Sequence, residues 1–118
     1  MHINNLEDDN KREINIDNLS FEWDERKNKS NIIKHGISFE TAAYVFFDEY
    51  LLEIYDEDHS DYNEDRYIAI GIVEQVLYVV YTDREENIRI ISARPAEKDE
   101  ERLYYERRGQ WMYRNGII

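Results

Sequence analysis

The sequence contains no cysteine, a single proline and only four glycines in 118 residues. Without cysteine, the chain can form neither a disulfide framework nor a thiolate metal site, which fits a reducing compartment. The apolar runs, such as residues 76–81, are much shorter than the roughly 20 residues of a membrane-spanning helix. The glycines are scattered and form no phosphate-binding loop. We therefore expect one small cytoplasmic domain without membrane association.

Negative charge is abundant but unevenly distributed. The net charge of −12 argues against a nucleic-acid binder at first sight. Residues 1–20 carry −3 and residues 48–65 carry −9, so the rest of the chain is neutral overall and has room for a basic face. The acidic run at 48–65 has two interpretations, a solvated connection or a docking surface for a basic partner.

Hydrophobic spacing and capping residues predict the first half of the domain. Residues 21–23 form a short strand with aromatic side chains, and Asp24 caps the helix that follows. This helix ends at His35, because Gly36 is suited to the left-handed conformation of a helix terminus. Ser38 caps a second helix, which continues to about Asp48.

The second half predicts four strands and one helix. The strands cover residues 51–55, 66–71, 76–82 and 88–94, and a charged helix covers 96–108. Short polar linkers between the strands favour an antiparallel meander, with the almost wholly apolar segment 76–82 at its centre. We expect an α+β fold with a twisted antiparallel sheet of about four to five strands, two N-terminal helices and one C-terminal helix. Residues 20–118 would form this domain, and residues 1–19 a flexible acidic extension.

Basic residues fall at positions where one surface could collect them. Lys34 and His35 close the first helix, and the strand region contributes Arg66, Arg84, Arg89 and Arg94. Guanidinium groups make bidentate contacts with phosphate oxygens. If these side chains face one side of the sheet, they form a groove that fits a backbone phosphate.

Such a groove could cleave RNA without a metal, with the 2′-hydroxyl as nucleophile. His35 is the histidine that we expect to transfer a proton, and the arginines would stabilise the charge of the transition state. Structural interpretations remain open, because a histidine at a helix end commonly interacts with the helix dipole and the arginines could pair with acids on neighbouring strands. A further cluster could ligate a metal in principle, but its spacing matches no zinc or calcium signature and favours a solvated acidic turn: Asp56, Asp58, His59 and Asp61.

Several motifs, in order and at matching intervals, resemble the BrnT family of bacterial toxins. The N-terminal motifs are Phe21-Glu22-Trp23-Asp24, Lys27, Asn31, Lys34-His35-Gly36-Ile37-Ser38-Phe39 and Ala42. The sheet motifs are Asp65-Arg66-Tyr67-Ile68-Ala69-Ile70-Gly71, Val79-Val80-Tyr81-Thr82-Asp83-Arg84 and Arg89-Ile90-Ile91-Ser92-Ala93-Arg94-Pro95-Ala96. The last motifs are Glu101-Arg102 and Tyr105, so the resemblance spans about residues 21–106.

This resemblance implies a RelE-like fold and a type II toxin that acts as a metal-independent endoribonuclease, needs no cofactor and arrests translation. It implies a BrnA-like ribbon-helix-helix antitoxin as partner, with promoter DNA contacted only through that antitoxin. The catalytic set carried over is Lys34, His35, Arg66, Arg84 and Arg94, and the substrate contacts are Lys27, Arg89 and Tyr81. The alternative is a binding module that has lost cleavage and acts only as a co-repressor with its antitoxin.

Overall fold

The structure is a computed structural model that describes residues 10–114 and 116. Within these residues the chain forms six strands and three α-helices. The first half contains β1 (Lys11–Ile16), β2 (Leu19–Asp24), α1 (Glu25–His35) and α2 (Phe39–Ala43), which a 3-10 turn (Tyr44–Phe47) continues. The second half contains β3 (Leu52–Tyr55), β4 (Tyr67–Val73), β5 (Gln75–Arg84), β6 (Asn87–Pro95) and α3 (Lys98–Arg114).

All six strands belong to one sheet in the order β1-β2-β6-β5-β4-β3. The strands β3 to β6 form an antiparallel meander, and β5 lies inside the sheet as its apolar sequence predicts. The pairing of β2 with β6 is parallel and short, joining Phe21 to Ile88 and Glu22 to Arg89. The α+β class and the meander are thus confirmed, whereas the sheet has six strands in the described residues instead of the expected four to five.

The additional strand comes from the segment that we expected to be a flexible extension. Strand β1 pairs antiparallel with the whole of β2, from Lys11 opposite Asp24 to Ile16 opposite Leu19. The two strands are connected at Asp17, whose φ of 50° is suited to a tight turn. Ile14 and Ile16 pack against the main core, which fixes β1 to the domain. The expectation of a flexible extension is therefore wrong for residues 11–16, and residues 1–9 lie outside the described part.

The predicted helix boundaries are largely confirmed in the first half. The Asp24 side chain accepts a hydrogen bond from the backbone N–H of Arg26 at 2.9 Å, as an N-cap does. Gly36 ends α1 at a φ of 72°, and Ser38 caps α2 by accepting from the Thr41 N–H. The last helix begins and ends later than expected, at Lys98 and Arg114 instead of residues 96 and 108.

The two faces of the sheet differ in what covers them. On the inner face, which includes Leu77, Val79 and Tyr81, the main core packs against residues of α2 such as Phe39. On the outer face, which includes Tyr78, Val80 and Thr82, α3 places Tyr104 against Ile68, Ile70 and Val76 at one end. Among residues 10–114 and 116, none of the helices combines the length and the hydrophobicity that spanning a bilayer requires.

A β-bulge changes which residues of β6 reach the outer face. Val80 pairs with Ser92 but Tyr81 pairs with Ile90, so Ile91 is an extra residue in β6. Arg89 and Arg94 are five positions apart and would point to opposite faces of a regular strand. Because of the bulge, Arg89 lies opposite Thr82 and Arg94 opposite Tyr78, which are both outer-face residues. The alternation of side chains between the two faces is therefore interrupted within β6.

Beyond the short pairing of β6 with β2, the edge of β6 contacts helix α1 instead of another strand. The Asn31 side chain of α1 donates to the backbone oxygens of Ala93 at 2.7 Å and Ile37 at 2.9 Å. Its side-chain oxygen accepts from the Ala93 N–H at 3.2 Å. This buried amide satisfies backbone groups that a neighbouring strand would otherwise pair with, and it fixes α1 beside β6.

Candidate functional site

Positively charged side chains from α1, β5, β6 and the start of β4 meet on the outer face. A cavity of about 140 Å³ is lined by the bases Lys27, Arg66, Arg84 and Arg89 and by Glu64, Thr82 and Ile91. We call this cavity the basic groove. Half of the eight predicted site residues are thus brought together, although they are distant in sequence.

The cations of the basic groove differ in how strongly they are neutralised. Arg89 is bound to Glu22 at 2.7 Å, and the two side chains are only 14% and 2% exposed. Burial by itself raises the pKa of Glu22, but hydrogen bonds from Asn87 and Arg89 outweigh it, so the pKa is lowered. Arg66 contacts Glu64 at 3.0 Å with both side chains partly exposed. Lys27 and Arg84 are exposed and make no ion pair among the described residues.

These differences separate a structural cation from the cations that are available to a ligand. The largely buried Arg89–Glu22 pair joins β6 to β2. Removing either charge would leave the other one buried. An anion entering the groove would instead be neutralised mainly by Lys27, Arg66 and Arg84. Glu64 competes for Arg66, but an exposed pair of this kind is worth about 0–1 kcal/mol and can open for a phosphate.

A second cavity of about 300 Å³ adjoins the basic groove and shares Arg66 and Ile91 with it. We call it the histidine cavity, since its other lining residues are Asp56, His59, Tyr78, Val80, Ser92 and Arg94. Ile91 and Ser92 are consecutive yet both line it, as expected at a bulge. Arg94 makes two hydrogen bonds to Glu100, at 2.7 and 2.8 Å, and its guanidinium lies 4.0 Å from the centre of the Tyr78 ring.

His59 also lines the site, although its sequence context predicted a solvated acidic turn. Its Nδ1 lies 2.9 Å from Asp56 Oδ2, and Asp56 is only 9% exposed whereas the His59 side chain is 70% exposed. The same loop is held against the start of β4, because Ser60 Oγ accepts from the Arg66 N–H at 2.8 Å. The available signal was a histidine three residues after an aspartate, but the neighbouring acids made the segment resemble a solvated turn. In the described residues no group of three or more His, Asp and Glu side chains could hold a metal ion.

The predicted pair Lys34 and His35 does not line the cavities that contain the arginines. Both residues are in the last turn of α1, and neither lines the basic groove or the histidine cavity. Lys34 follows Lys27 by seven residues, so it shares the same side of the helix about 10 Å further along. The His35 side chain makes no hydrogen bond or ion pair within the described part of the chain.

Tyr81 does not occupy a position that fits the predicted substrate contact. It is 5% exposed on the inner face, where its ring stacks on Tyr67 and meets Phe46 edge-on. Its hydroxyl donates a hydrogen bond to Glu53. Burial, followed by that bond to a carboxylate, raises the pKa of Tyr81. The expectation is corrected because Tyr81 and Thr82 alternate between faces, and Tyr81 faces the core.

A third cavity, of about 530 Å³, has the opposite electrostatic character. It lies beside the basic groove and is lined by Asn63, Glu64, Asp65, Tyr67, Thr82, Asp83, Arg84 and Glu85. Four carboxylates and one guanidinium give it a negative balance. A phosphate chain is therefore repelled on this side of Arg84 and attracted on the side of Lys27 and Arg66.

The comparisons with known proteins concern the same region of the chain. Residues 23–100 match the model of a family described as the ribonuclease toxin BrnT of type II toxin–antitoxin systems. No curated protein sequence matches the chain. A 1.1 Å crystal structure of the Brucella abortus ribonuclease toxin BrnT is similar at 23% sequence identity and a TM-score of 0.49, covering 64% of this chain and 94% of that one.

The family match covers more than half of the chain and contains the basic groove and the histidine cavity, while it leaves out β1 and most of α3. The predicted resemblance is confirmed by this match. The chain therefore belongs to the BrnT family of ribonuclease toxins of type II toxin–antitoxin systems, a class that acts on RNA and is paired with an antitoxin.

Proposed function

We propose that this protein is a metal-independent endoribonuclease that cleaves RNA and arrests translation until its antitoxin neutralises it. The observation that carries the proposal is the basic groove, where Lys27, Arg66, Arg84 and Arg89 converge from separate elements. A converging set of this kind on an acidic protein has an electrostatic cost, since like charges repel one another. A bound phosphate would relieve that repulsion.

The proposed reaction uses the RNA itself as the source of the nucleophile. The 2′-hydroxyl attacks the adjacent phosphorus, which restricts cleavage to RNA and yields a 2′,3′-cyclic phosphate and a free 5′-hydroxyl. Lys27, Arg66 and Arg84 would hold the phosphate and stabilise the additional negative charge of the transition state. Lys34 and Arg94 lie outside the basic groove and would contact neighbouring phosphates of a longer RNA.

The proposed antitoxin is a BrnA-like ribbon-helix-helix protein, through which the pair would contact promoter DNA. Membership in a type II toxin family supports an antitoxin partner in general. The strongly negative net charge supports contact with DNA through the antitoxin rather than directly, because an excess of acidic side chains opposes binding to a polyanion. In the cell we expect the free toxin to act in the cytoplasm.

The alternative function is that of a binding module which has lost cleavage and serves only as a co-repressor. The ion pairs of Arg66, Arg89 and Arg94 favour this alternative, since each neutralises a cation that catalysis would use. The two functions differ in what the isolated protein does to RNA.

The test is to incubate the purified protein with a labelled RNA and with DNA of the same sequence, each with and without EDTA. We expect cleavage of the RNA alone, unaffected by EDTA, with 5′-hydroxyl ends on the products. Intact RNA at high protein concentration, together with tight binding to the antitoxin, would support the co-repressor function. Cleavage that EDTA abolishes would contradict the metal-independent mechanism.

A further inference from the structure

We propose that His59, held by Asp56, accepts the proton of the attacking 2′-hydroxyl. This inference rests on the proposed ribonuclease function and assigns a residue to a step that the arginines of the basic groove cannot perform. Arginine stays protonated at all ordinary pH values, so the arginines of the site stabilise charge but do not accept a proton. Histidine is the side chain whose usual pKa suits this exchange near neutral pH.

The geometry of the dyad sets the tautomer of the ring. Asp56 accepts hydrogen bonds through both carboxylate oxygens, which lie 3.1 and 2.9 Å from His59 Nδ1. An ionised carboxylate has no hydrogen to donate, so Nδ1 carries the proton and Nε2 keeps its lone pair. The Asp56 carboxylate also lies 3.3 Å from the backbone N of His59, which holds the residue at two points.

The dyad is placed beside the cations that would hold the scissile phosphate. His59 and Arg66 line the histidine cavity, and Arg66 also lines the basic groove. The connection is rigid, because the Asp56 N–H donates to the Arg66 backbone oxygen at 2.9 Å and the Arg66 N–H donates to Ser60. A phosphate held by Arg66 at the junction of the two cavities would therefore enter the cavity that His59 lines.

The exposure of the two partners fits a proton exchange with substrate. The carboxylate of Asp56 is nearly buried, while the His59 ring is mostly exposed and open to a ligand. His35 offers neither feature, since it lies outside both cavities and no carboxylate orients it among the described residues. The structure thus favours His59 over the histidine that the sequence suggested.

His59 would act in a single transesterification of the RNA backbone. Nε2 of neutral His59 takes the proton of the 2′-hydroxyl while the 2′-oxygen forms its bond to phosphorus. The bond between phosphorus and the 5′-oxygen breaks, and the leaving oxygen takes a proton from water. The imidazolium then loses its proton to the hydroxide so formed. No water is consumed, and the products are a 2′,3′-cyclic phosphate and a 5′-hydroxyl.

The experiment compares cleavage by the full chain with cleavage by His59→Gln, His59→Ala and Tyr62→Ala. Tyr62 lies in the same loop, is fully exposed and lines none of the three cavities described above, so it controls for disturbance of the loop. Binding to a fully 2′-O-methylated RNA, which cannot be cleaved, shows whether each variant keeps its substrate site. Circular dichroism shows whether each variant is folded.

We expect His59→Gln to lower the cleavage rate by about 10²- to 10⁴-fold, the usual contribution of general acid–base catalysis, with unchanged affinity for the methylated RNA. Free imidazole should restore part of the activity of His59→Ala but leave Tyr62→Ala unaffected. Asp56→Asn should reduce cleavage less than His59→Gln does. It should also shift the ring-nitrogen NMR signals of His59 towards the other tautomer, which tests whether Asp56 sets the tautomer of the ring.

Two outcomes overturn the proposal at different levels. If the wild-type chain cleaves RNA and His59→Gln is folded and equally fast, His59 is not the base, and loss of cleavage in His35→Gln would transfer the role to His35. If the wild-type chain leaves RNA intact while binding the methylated RNA, the ribonuclease function itself fails and the present inference fails with it. Loss of cleavage in His59→Ala without any rescue by imidazole would reassign His59 to a structural role.

Discussion

The inner and outer faces of the sheet are built from the same strands but perform different tasks. Along β5, Leu77, Val79 and Tyr81 are buried in the main core. The intervening residues Tyr78 and Val80 line the histidine cavity. The side chains of a strand alternate between faces, so a single segment supplies both sets. The larger apolar core therefore lies on the inner face, while the outer face combines a smaller apolar cluster under α3 with the polar cavities.

The largest expected effect is a loss of stability when a buried side chain of the inner face is truncated. Phe21→Ala removes a fully buried ring and should lower the free energy of unfolding by about 3–5 kcal/mol. Denaturant titration measures the loss. Phe47→Ala is the control, because Phe47 is 39% exposed and contacts the same ring from the rim of the core. Equal losses in the two variants would contradict the assignment of the core to this face.

A change on the outer face should affect activity without affecting the fold. Arg84→Ala removes an exposed cation of the basic groove and should slow RNA cleavage by about 10²- to 10³-fold, as loss of a transition-state contact does. Its free energy of unfolding should change by less than about 0.5 kcal/mol, as is usual for surface substitutions.

The matched control is Arg12→Ala, which removes the same charge from exposed β1, outside the region that matches the family. Cleavage assays and denaturant titration should be run on both proteins. Equal slowing of cleavage in the two variants would show that only the overall charge matters and that the groove has no specific role.

Acid should lower the thermal stability of the domain, because two carboxylates that pair with arginines become protonated. The pKa of Glu22 is lowered below its ordinary 4.5, despite burial, by hydrogen bonds from Asn87 and Arg89. A carboxyl whose pKa is lowered by folding stabilises the native state fully above the unfolded value, and this contribution is lost as pH falls through the folded value. We therefore expect thermal stability to fall below about pH 4.5. Glu100, whose pKa Arg94 lowers, contributes in the same direction.

The Glu22→Gln variant isolates one part of this effect. Its thermal stability should be lower than that of the wild type at neutral pH but should depend less on pH in the acid range, because the titrating group is absent. Differential scanning calorimetry across that range compares the two curves. Parallel curves would mean that the Arg89–Glu22 pair does not contribute to acid unfolding.

The smallest expected effect tests the position of Tyr81. Tyr81→Phe removes the hydroxyl that donates to Glu53 and should lower the free energy of unfolding by about 0.5–1.5 kcal/mol, the usual net worth of one hydrogen bond. Denaturant titration and RNA binding should be measured together. A loss of RNA affinity larger than the loss of stability would return Tyr81 to the substrate contacts.

Local features of this fold could be predicted from sequence, while features that depend on distant partners could not. Asp24, Gly36 and Ser38 act on backbone groups within a few residues, so the sequence alone indicates their roles. The strand β1 was missed because just two of its side chains, Ile14 and Ile16, pack against the core, and its pairing depends on β2. Arg66, Arg84 and Arg89 come from separate parts of the chain and line the basic groove, whereas Arg94 lines the histidine cavity and Lys34 and His35 line neither.

The remaining parts of the site depend on geometry that no short segment contains. A bulge in β6 places Arg89 and Arg94 on the same face. Their spacing of five residues predicts opposite faces for a regular strand. The pair of Arg89 with Glu22 spans 67 positions and follows from the parallel contact of β2 with β6. His59 gains significance only when its loop lies beside Arg66 and Arg94. Whether the fold is RelE-like stays a prediction.

The buried amide of Asn31 has a consequence for how another chain can attach. Because Asn31 occupies the polar groups of Ala93, a foreign strand has no backbone to pair with there. Among the described strands, the sheet has outermost members at β1 and β3, so extension by an incoming strand is confined to these two margins. Charged residues such as Lys11, Arg12 and Glu13 discourage indiscriminate self-association along the first margin.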